Sequence, residues 1–404
     1  MKSAPLSLTK LLIGGHRWRL REPALEEELQ AILHQFPDMR ALPGARVLRD
    51  NDVRTVCHVP AGGRPPPSAG FLVKVYRYTS RWDRFRCRFQ RPRAEQEWYA
   101  LERFRELGIP TAIPLAITET RRGKTITGGG LIARYLTGTS PLSERLSPRT
   151  AGPLPEASRE LLVQTGQLVR RMQDLGVWHR DLHAGNILVG NAGNSLYIVD
   201  LHTCLFLPRL TRWQRRKGVV ELLFSLRASV PPESHRILLD AYEATGPSSA
   251  GVLALTGPQL RKSLDALHRK WLTSRARKCF SPSSRFVVAR TRGLRLYHLR
   301  QWCAEALRGL WSVEPIGRVL ETSTAGWIGV VQLGVAPVRV EFRRYTFLEG
   351  LCGLLTKHPL RRSYAARHAL WVRKESACRV IALRERTVLG LVREAHLVTD
   401  PVDG

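Results

Sequence analysis

The stretch Gly176-Val177-Trp178-His179-Arg180-Asp181-Leu182-His183-Ala184-Gly185-Asn186-Ile187-Leu188, followed by Leu196-Tyr197-Ile198-Val199-Asp200-Leu201-His202, decides how this chain reads. It holds an H-R-D triplet, an asparagine five positions after the aspartate, and a second aspartate closing an apolar run. Phosphoryl transfer to a hydroxyl needs these groups. One carboxylate accepts the hydroxyl proton, while an amide oxygen and another carboxylate hold Mg²⁺ on the phosphates. H-R-D alone is a weak signal. The spacing, the Asn-Ile-Leu strand start and the second aspartate together make it specific. The apolar run is expected to be a strand carrying Asp200 opposite the loop that bears Asp181 and Asn186.

Such a site makes demands upstream, where a lysine must pair the nucleotide phosphates and a helix glutamate must hold that lysine. Phe71-Leu72-Val73-Lys74-Val75-Tyr76 reads as a buried strand, in which an unpaired ammonium would be costly. Glu97 lies in a segment where Trp98, Leu101 and Phe104 recur at helical spacing. It is the chosen partner for Lys74, with Glu95 the less favoured choice. The order Lys74, Glu97, Asp181, Asn186, Asp200 follows the protein-kinase plan from strand to catalytic loop.

At these residues the chain resembles the lipopolysaccharide kinases of Gram-negative bacteria, within the protein-kinase-like superfamily. The carriers are Lys74-Val75-Tyr76-Arg77, Glu97-Trp98 running into Leu107-Gly108-Ile109-Pro110-Thr111, the His179–Leu188 loop, and Val199-Asp200-Leu201. Arg275 to Cys279 is similar to the end of that family's domain. The resemblance covers roughly residues 40–285. It implies an α+β, bilobal kinase-like fold and ATP with Mg²⁺ as cofactors. It further implies a core sugar (Kdo or heptose) of an anionic glycolipid as acceptor. His183 stands where protein kinases usually carry a lysine, which resembles small-molecule and sugar kinases. His202 stands at the glycine of D-F-G, which puts an activation-loop switch in doubt.

Lysine and arginine number 64 against 34 acidic residues, a net charge of +30. That balance concerns partners rather than fold. It suits nucleic acid, an anionic membrane surface or a phosphorylated acceptor, and equally an arginine-biased solvated surface. Nucleic acid is the least favoured, because no RNA-binding motif accompanies it. The seven cysteines are scattered and never form C-x-x-C, which argues against a disulfide framework or zinc site and for a reducing compartment. No apolar run approaches the ~20 residues that span a bilayer, and Leu11-Leu12-Ile13 makes a poor signal-peptide core. A cytoplasmic protein, peripheral to the inner membrane, is expected.

Leu25, Leu29, Ile32, Leu33 and Phe36 share one face of a helix after Pro23. Arg46–Leu48 and Thr55–Val59 read as strands around the place of the phosphate-covering loop, which here has no G-x-G-x-x-G. Arg54 is a candidate to take over part of that loop's work, an exposed strand arginine being the plainer reading. Residues 61–70 read as a loop. Trp82, Phe85 and Phe89 share a helical face opposite several arginines, the pattern of an interfacial helix; aromatics packed onto the small lobe explain it equally. Residues 137–155 read as a linker between lobes, and the basic cluster 208–217 is set near the acceptor side.

The tail looks like a second small lobe. Val338 to Thr346 lines up with Leu72 to Thr79, both ending Arg-Tyr-Thr. Ile381 to Glu385 matches Leu115 to Glu119 at nearly the same interval, and Gly390-Leu391-Val392 echoes Gly130-Leu131-Ile132. Glu341 then replaces Lys74, and no H-R-D follows in this sequence. A catalytically dead copy is expected, for docking, for stability, or as a degenerating duplicate. The expected divisions are an N-terminal helical extension (1–35), a kinase-like domain (36–285, lobes 36–137 and 138–285), a basic linker (286–311) and the degenerate module (312–404). Rival readings are a kinase for another small molecule or a protein, and a noncatalytic scaffold for anionic surfaces.

Overall fold

The structure is a computed structural model. It describes residues 8–400 apart from 23–24, 62–69, 88, 124, 147–153, 192–194, 246–252, 254, 284, 303, 335 and 374–377. Most of the loop expected at 61–70 therefore lies outside the described residues. The chain divides into two compact units, 1–264 and 265–404.

The first unit opens with a hairpin, β1 (Thr9–Ile13) and β2 (His16–Leu20), then α1 (Leu25–Gln35), β3 (Arg46–Asp50), β4 (Arg54–Pro60) and β5 (Gly70–Arg77). Two helices follow, α2 (Arg81–Arg86) and α3 (Arg93–Glu106), and then β6 (Pro114–Arg122) and β7 (Thr125–Arg134). The seven strands form one antiparallel sheet in the order β1-β2-β6-β7-β5-β4-β3. The expected helical extension at 1–35 is thus corrected: its first half is two strands of the small lobe. Trp18 and Leu20 point into the core while Arg17 and Arg19 alternate outward, the period-2 pattern of a half-buried strand. The five apolar positions read as one helical face are all buried, on α1 and the Phe36 that follows it. They cover one side of the sheet with Val73, Val75 and Ile132. On the other side lie Ala94, Ala100, Leu101 and Phe104 of α3.

The linker expected at 137–155 contains a short strand β8 (Thr139–Pro141) and a helical turn α4 (Leu142–Arg145). Leu142 and Leu146 are buried there, so the part up to Leu146 is packed rather than free. The helical lobe continues with α5 (Glu156–Asp174), β9 (Val177–Trp178), β10 (Ile187–Gly190), β11 (Leu196–Ile198), β12 (Leu205–Phe206), α6 (Arg212–Leu226) and α7 (His235–Ala244), and α8 (Gly257–Arg277) begins in this unit and ends in the second. β8, β10 and β11 form one small sheet, β9 and β12 another. Gly176 sets up β9 with φ +76°, and a Cβ there would lie 1.9 Å from the Leu207 carbonyl oxygen, so only glycine fits.

The second unit contains β13 (Phe286–Thr291), β14 (Leu294–Leu299), β15 (Arg318–Ser323), β16 (Gly326–Leu333), β17 (Ala336–Arg344), α9 (Phe347–Thr356), α10 (Pro359–Arg373), β18 (Val380–Val388) and β19 (Leu391–Thr399). Its strand order is β13-β14-β18-β19-β17-β16-β15, position for position that of the first sheet. The repeat is therefore longer than its sequence signal. Residues 286–299, expected in a linker, are its first hairpin, and 312 is not its start. Arg290, Arg292 and Arg295 around their shared turn disguise them as a charged connector.

Register supports the pairing of the two copies. Lys74 stands between Val56 and Leu131, and Glu341 between Ile328 and Leu397. Glu119 faces Gly129 as Glu385 faces Ala395. The echo between Gly390 and Gly130 fails this test. Gly390 lies in the β18–β19 turn with φ +82°, whereas Gly130 is mid-strand and its counterpart is His396.

Candidate active site

Alternation along β5 turns Lys74 and Tyr76 to the same face, where α3 packs. Glu97 sits on the buried side of α3 with Ala94, Leu101 and Phe104. Its carboxylate takes the Lys74 ammonium on one oxygen and the Tyr76 hydroxyl on the other. Lys74 is 7% and Glu97 2% exposed, so each neutralises a charge that burial would otherwise penalise. Glu95 is on the outer side of the helix and binds Arg19 at 2.5 Å. Tyr76 was not among the expected site residues, although lying two positions after Lys74 was the signal for it. Burial and then the adjacent Glu97 charge push its phenol far above the usual range, so it acts as a permanent donor.

Asp200 follows β11 at φ +61°, a left-handed conformation that non-glycine residues adopt at a cost. One carboxylate oxygen lies 3.9 Å from the Lys74 Nζ and 2.8 Å from the His202 Nδ1. Burial alone would raise this carboxyl. The bond from His202, the Lys74 charge and the bond from Arg54 overcome that and hold it far below the ordinary carboxylate range. Asp200 is thus ionised across the physiological range. Arg54 grips it bidentately, Nη1 to Oδ1 and Nη2 to Oδ2, both at 3.0 Å. The arginine starts β4 directly after the glycine-free turn, where Asn51 Oδ1 accepts from the Val53 and Arg54 amides. It is not the exposed strand arginine of the plainer reading, being only 13% exposed at its side chain.

The catalytic-type loop is fixed by its own side chains. Asp181 donates its amide to His179 Nδ1 at 3.3 Å, and the same ring reaches the Val199 carbonyl through Nε2 at 3.3 Å. Burial lowers the His179 pKa, and the neutral ring links the loop to the residue before Asp200. Asn186 donates Nδ2 to the Asp181 carbonyl at 2.9 Å, and its own carbonyl accepts from Val199 at 3.0 Å. Its Oδ1 is the remaining donor atom for a cation. The Asp181 side chain is 61% exposed, with His183 Nε2 at 3.9 Å.

The donor set fits a hard divalent ion, which takes carboxylate and amide oxygens. Asp200 and Asn186 offer them, with Arg54 as competitor for Asp200. Glu97, Asp200 and His202 also gather ligand atoms within 4.8 Å of one another, but Glu97 is already taken by Lys74 and Tyr76. In the basic cluster 208–217, Arg215 is tied to Asp174 at 2.7 Å and Arg216 to the Leu253 carbonyl. These two are therefore fold contacts rather than free acceptor grips. Lys217 stands 5.4 and 5.7 Å from the Trp178 and Trp213 rings.

Residues 74–242 match the model of the lipopolysaccharide kinase (Kdo/WaaP) family. That is the family to which the strand and loop motifs point, and Lys74, Glu97, Asp181, Asn186 and Asp200 all lie inside the matched segment. The chain is 28% identical over 54% of its length to a probable bifunctional tRNA threonylcarbamoyladenosine biosynthesis protein of Methanosarcina acetivorans, of which it spans 35%. It is 27% identical over 33% of its length to the lipopolysaccharide core heptose(I) kinase WaaP of Escherichia coli, spanning 52% of that protein. With the 3-deoxy-D-manno-octulosonic acid kinase of Haemophilus influenzae it shares 29% identity over 30% of its length, spanning 50% of the relative. The chain thus spans about a third to a half of these curated relatives. Among the described residues no helix is long and apolar enough to cross a membrane.

Proposed function

We propose that this protein is an ATP-dependent kinase that phosphorylates a sugar hydroxyl of the lipopolysaccharide inner core, Kdo or heptose, at the cytoplasmic membrane face. The observation that carries the reading is the Lys74 ammonium. It is held from behind by Glu97 and Tyr76, yet stands 3.9 Å from Asp200. A buried cation so placed faces the gap where nucleotide phosphates lie in a kinase.

In this reading Lys74 anchors the phosphates and Glu97 positions it. Asn186 and Asp200 hold Mg²⁺, which neutralises phosphate charge when bound. Asp181, exposed at the loop, orients the acceptor hydroxyl and takes its proton. His179 and His183 hold the loop's shape. The protein works at the membrane surface without crossing it, α2 with its exposed aromatics lying against anionic headgroups. The matching family segment and the two lipopolysaccharide kinase relatives support the acceptor class.

A second reading, a kinase for a non-lipid acceptor, draws on the relative from Methanosarcina acetivorans, which aligns over more of the chain than either lipopolysaccharide kinase. Purified protein with Mg-ATP and, in parallel, deacylated core oligosaccharide, a generic protein and an aminoglycoside separates the readings. Mass spectrometry should find one added phosphate on the oligosaccharide alone. Phosphate appearing only on another acceptor would replace the substrate assignment, and no stabilisation of the protein by Mg-ATP would leave a noncatalytic scaffold.

A further inference from the structure

The two copies agree in one feature that catalysis does not explain. In each, the strand bearing Lys74 or Glu341 ends in Arg-Tyr-Thr and passes into a short helix capped by a hydroxyl side chain, Ser80 for α2 and Thr346 for α9. Both helices expose large apolar side chains. On and just after α2, Trp82, Phe85 and Phe89 are 65%, 46% and 75% exposed, with ring centroids 5.6 and 5.1 Å apart in sequence. On α9, Phe347, Leu348 and Leu351 are 56%, 71% and 47% exposed.

One residue of α9 that meets the sheet is a glycine. Gly350 lies against β19, where an added Cβ would stand 3.1 Å from the Val392 carbonyl oxygen and 3.4 Å from Leu391. At Phe347, Leu348 and Leu351 the helix turns large apolar side chains outward, where an ordinary surface helix exposes polar ones. Its surroundings are cationic: Arg344, Lys357 and Arg362 are exposed beside it. Glu349, the acid on α9, is engaged by Arg343 and by the capping box. The same holds at α2, where exposed Arg86 and Arg91 flank the aromatics and Asp83 is bound by Ser80 and Arg93. Apolar side chains rimmed by cations, with each acid spoken for, match the headgroup and acyl boundary of an anionic bilayer.

We propose that α9 is a second lipid-contacting helix and that the C-terminal unit is a membrane-docking module. Phe347, Leu348 and Leu351 enter the acyl boundary while Arg344, Lys357 and Arg362 meet anionic headgroups. This extends the membrane contact proposed for α2 and assigns a role to a copy that has lost the phosphate-binding lysine. Two modest attachments on one chain reinforce each other through effective concentration, so removing either weakens the whole.

The test is flotation of the full chain with phosphatidylcholine vesicles, with and without phosphatidylglycerol. The wild type should float with the anionic vesicles and be released by high salt. The variant Phe347→Ser/Leu348→Ser/Leu351→Ser should lose about tenfold in partition while keeping its melting temperature, because all three side chains are exposed. Arg344→Glu/Lys357→Glu/Arg362→Glu should lose the dependence on phosphatidylglycerol. Wild-type partition by the serine variant overturns the proposal. So does a wild type that ignores vesicles but forms dimers which the serine variant dissolves, since a second copy would then be the occupant. Turnover on deacylated acceptor is measured alongside: its absence in the wild type counts against the kinase reading and leaves the vesicle result standing.

Discussion

Two seven-stranded sheets in one chain share a strand order, yet the charged pair at their centres is reversed. In the first, a strand lysine meets a helix glutamate, Lys74 with Glu97. In the second, a strand glutamate meets a helix arginine, Glu341 with Arg367 at 2.6 Å, while Arg339 adds a second contact at 3.1 Å. An architecture tolerates either polarity as long as the buried charge is matched. The proposed phosphate site needs a cation on the strand itself, which the first sheet carries at Lys74 and the second replaces with Glu341. Arg54 is also peculiar to the first copy, for register places Gly326 at its position in the second. What distinguishes a site from a scaffold here is the sign and reach of a few side chains.

The sharpest way to break this comparison is substitution at matched positions. Asp181→Ala should lower phosphoryl transfer by about 10³-fold with nucleotide binding largely kept, and Lys74→Ala should also abolish turnover. Glu341→Ala should leave turnover on a soluble acceptor unchanged. A steady-state assay decides, and a collapse in Glu341→Ala would mean that the second sheet takes part in catalysis.

A smaller effect comes from the slot where the first sheet has Gly130 and the second His396. Gly130 leaves room for the Phe36 ring, which would lie 2.5 Å from an added Cβ. His396 instead fills its place against Phe342 and Trp311 and donates Nε2–H to the Ser312 carbonyl at 2.7 Å. Burial pushes its pKa down to about 4. The folded state resists protonation that the unfolded chain accepts near 6.5, so the stability is present above that pH and is lost as pH falls from 6.5 toward 4. The loss should reach about 3 kcal/mol. Denaturant unfolding at stepped pH should show the slope in the wild type and a shallower one in His396→Gln.

The smallest expected effect concerns Arg54. With its guanidinium gone, Asp200 loses a competitor for divalent ions. Calorimetric titration of Arg54→Ala with Mn²⁺, without nucleotide, should show affinity tightened by about tenfold, the worth of one charged hydrogen-bonded pair. Unchanged affinity would mean that the ion does not draw on Asp200.

The order of the candidate site residues was legible because they lie in short segments with their own periodicity. Helical spacing separated Glu97 from Glu95, and the apolar run before Asp200 marked its strand. The latch between Arg54 and Asp200 was not, since nothing local ties residues so far apart in sequence. Both edge hairpins were missed for similar reasons: basic residues interrupt their short apolar runs, Lys10, Arg17 and Arg19 in β1–β2 and Arg290 and Arg295 in β13–β14. Their buried residues include Trp18, Leu20, Tyr297 and Leu299. Alternation at Arg17-Trp18-Arg19-Leu20 was the available clue. The interfacial helix was overextended for a related reason, since three aromatics at helical spacing do not require the helix to continue past Arg86.

The reversed polarity of the paired charges also bears on biogenesis. A polypeptide with two alike sheets is exposed to strand exchange while it folds, a recognised failure of repeated architectures. If β17 strayed into the first sheet, it would set Glu341 against Glu97; β5 in the second would set Lys74 against Arg367. Either mistake confines like charges away from solvent. The opposed signs therefore disfavour an exchange of these two central strands.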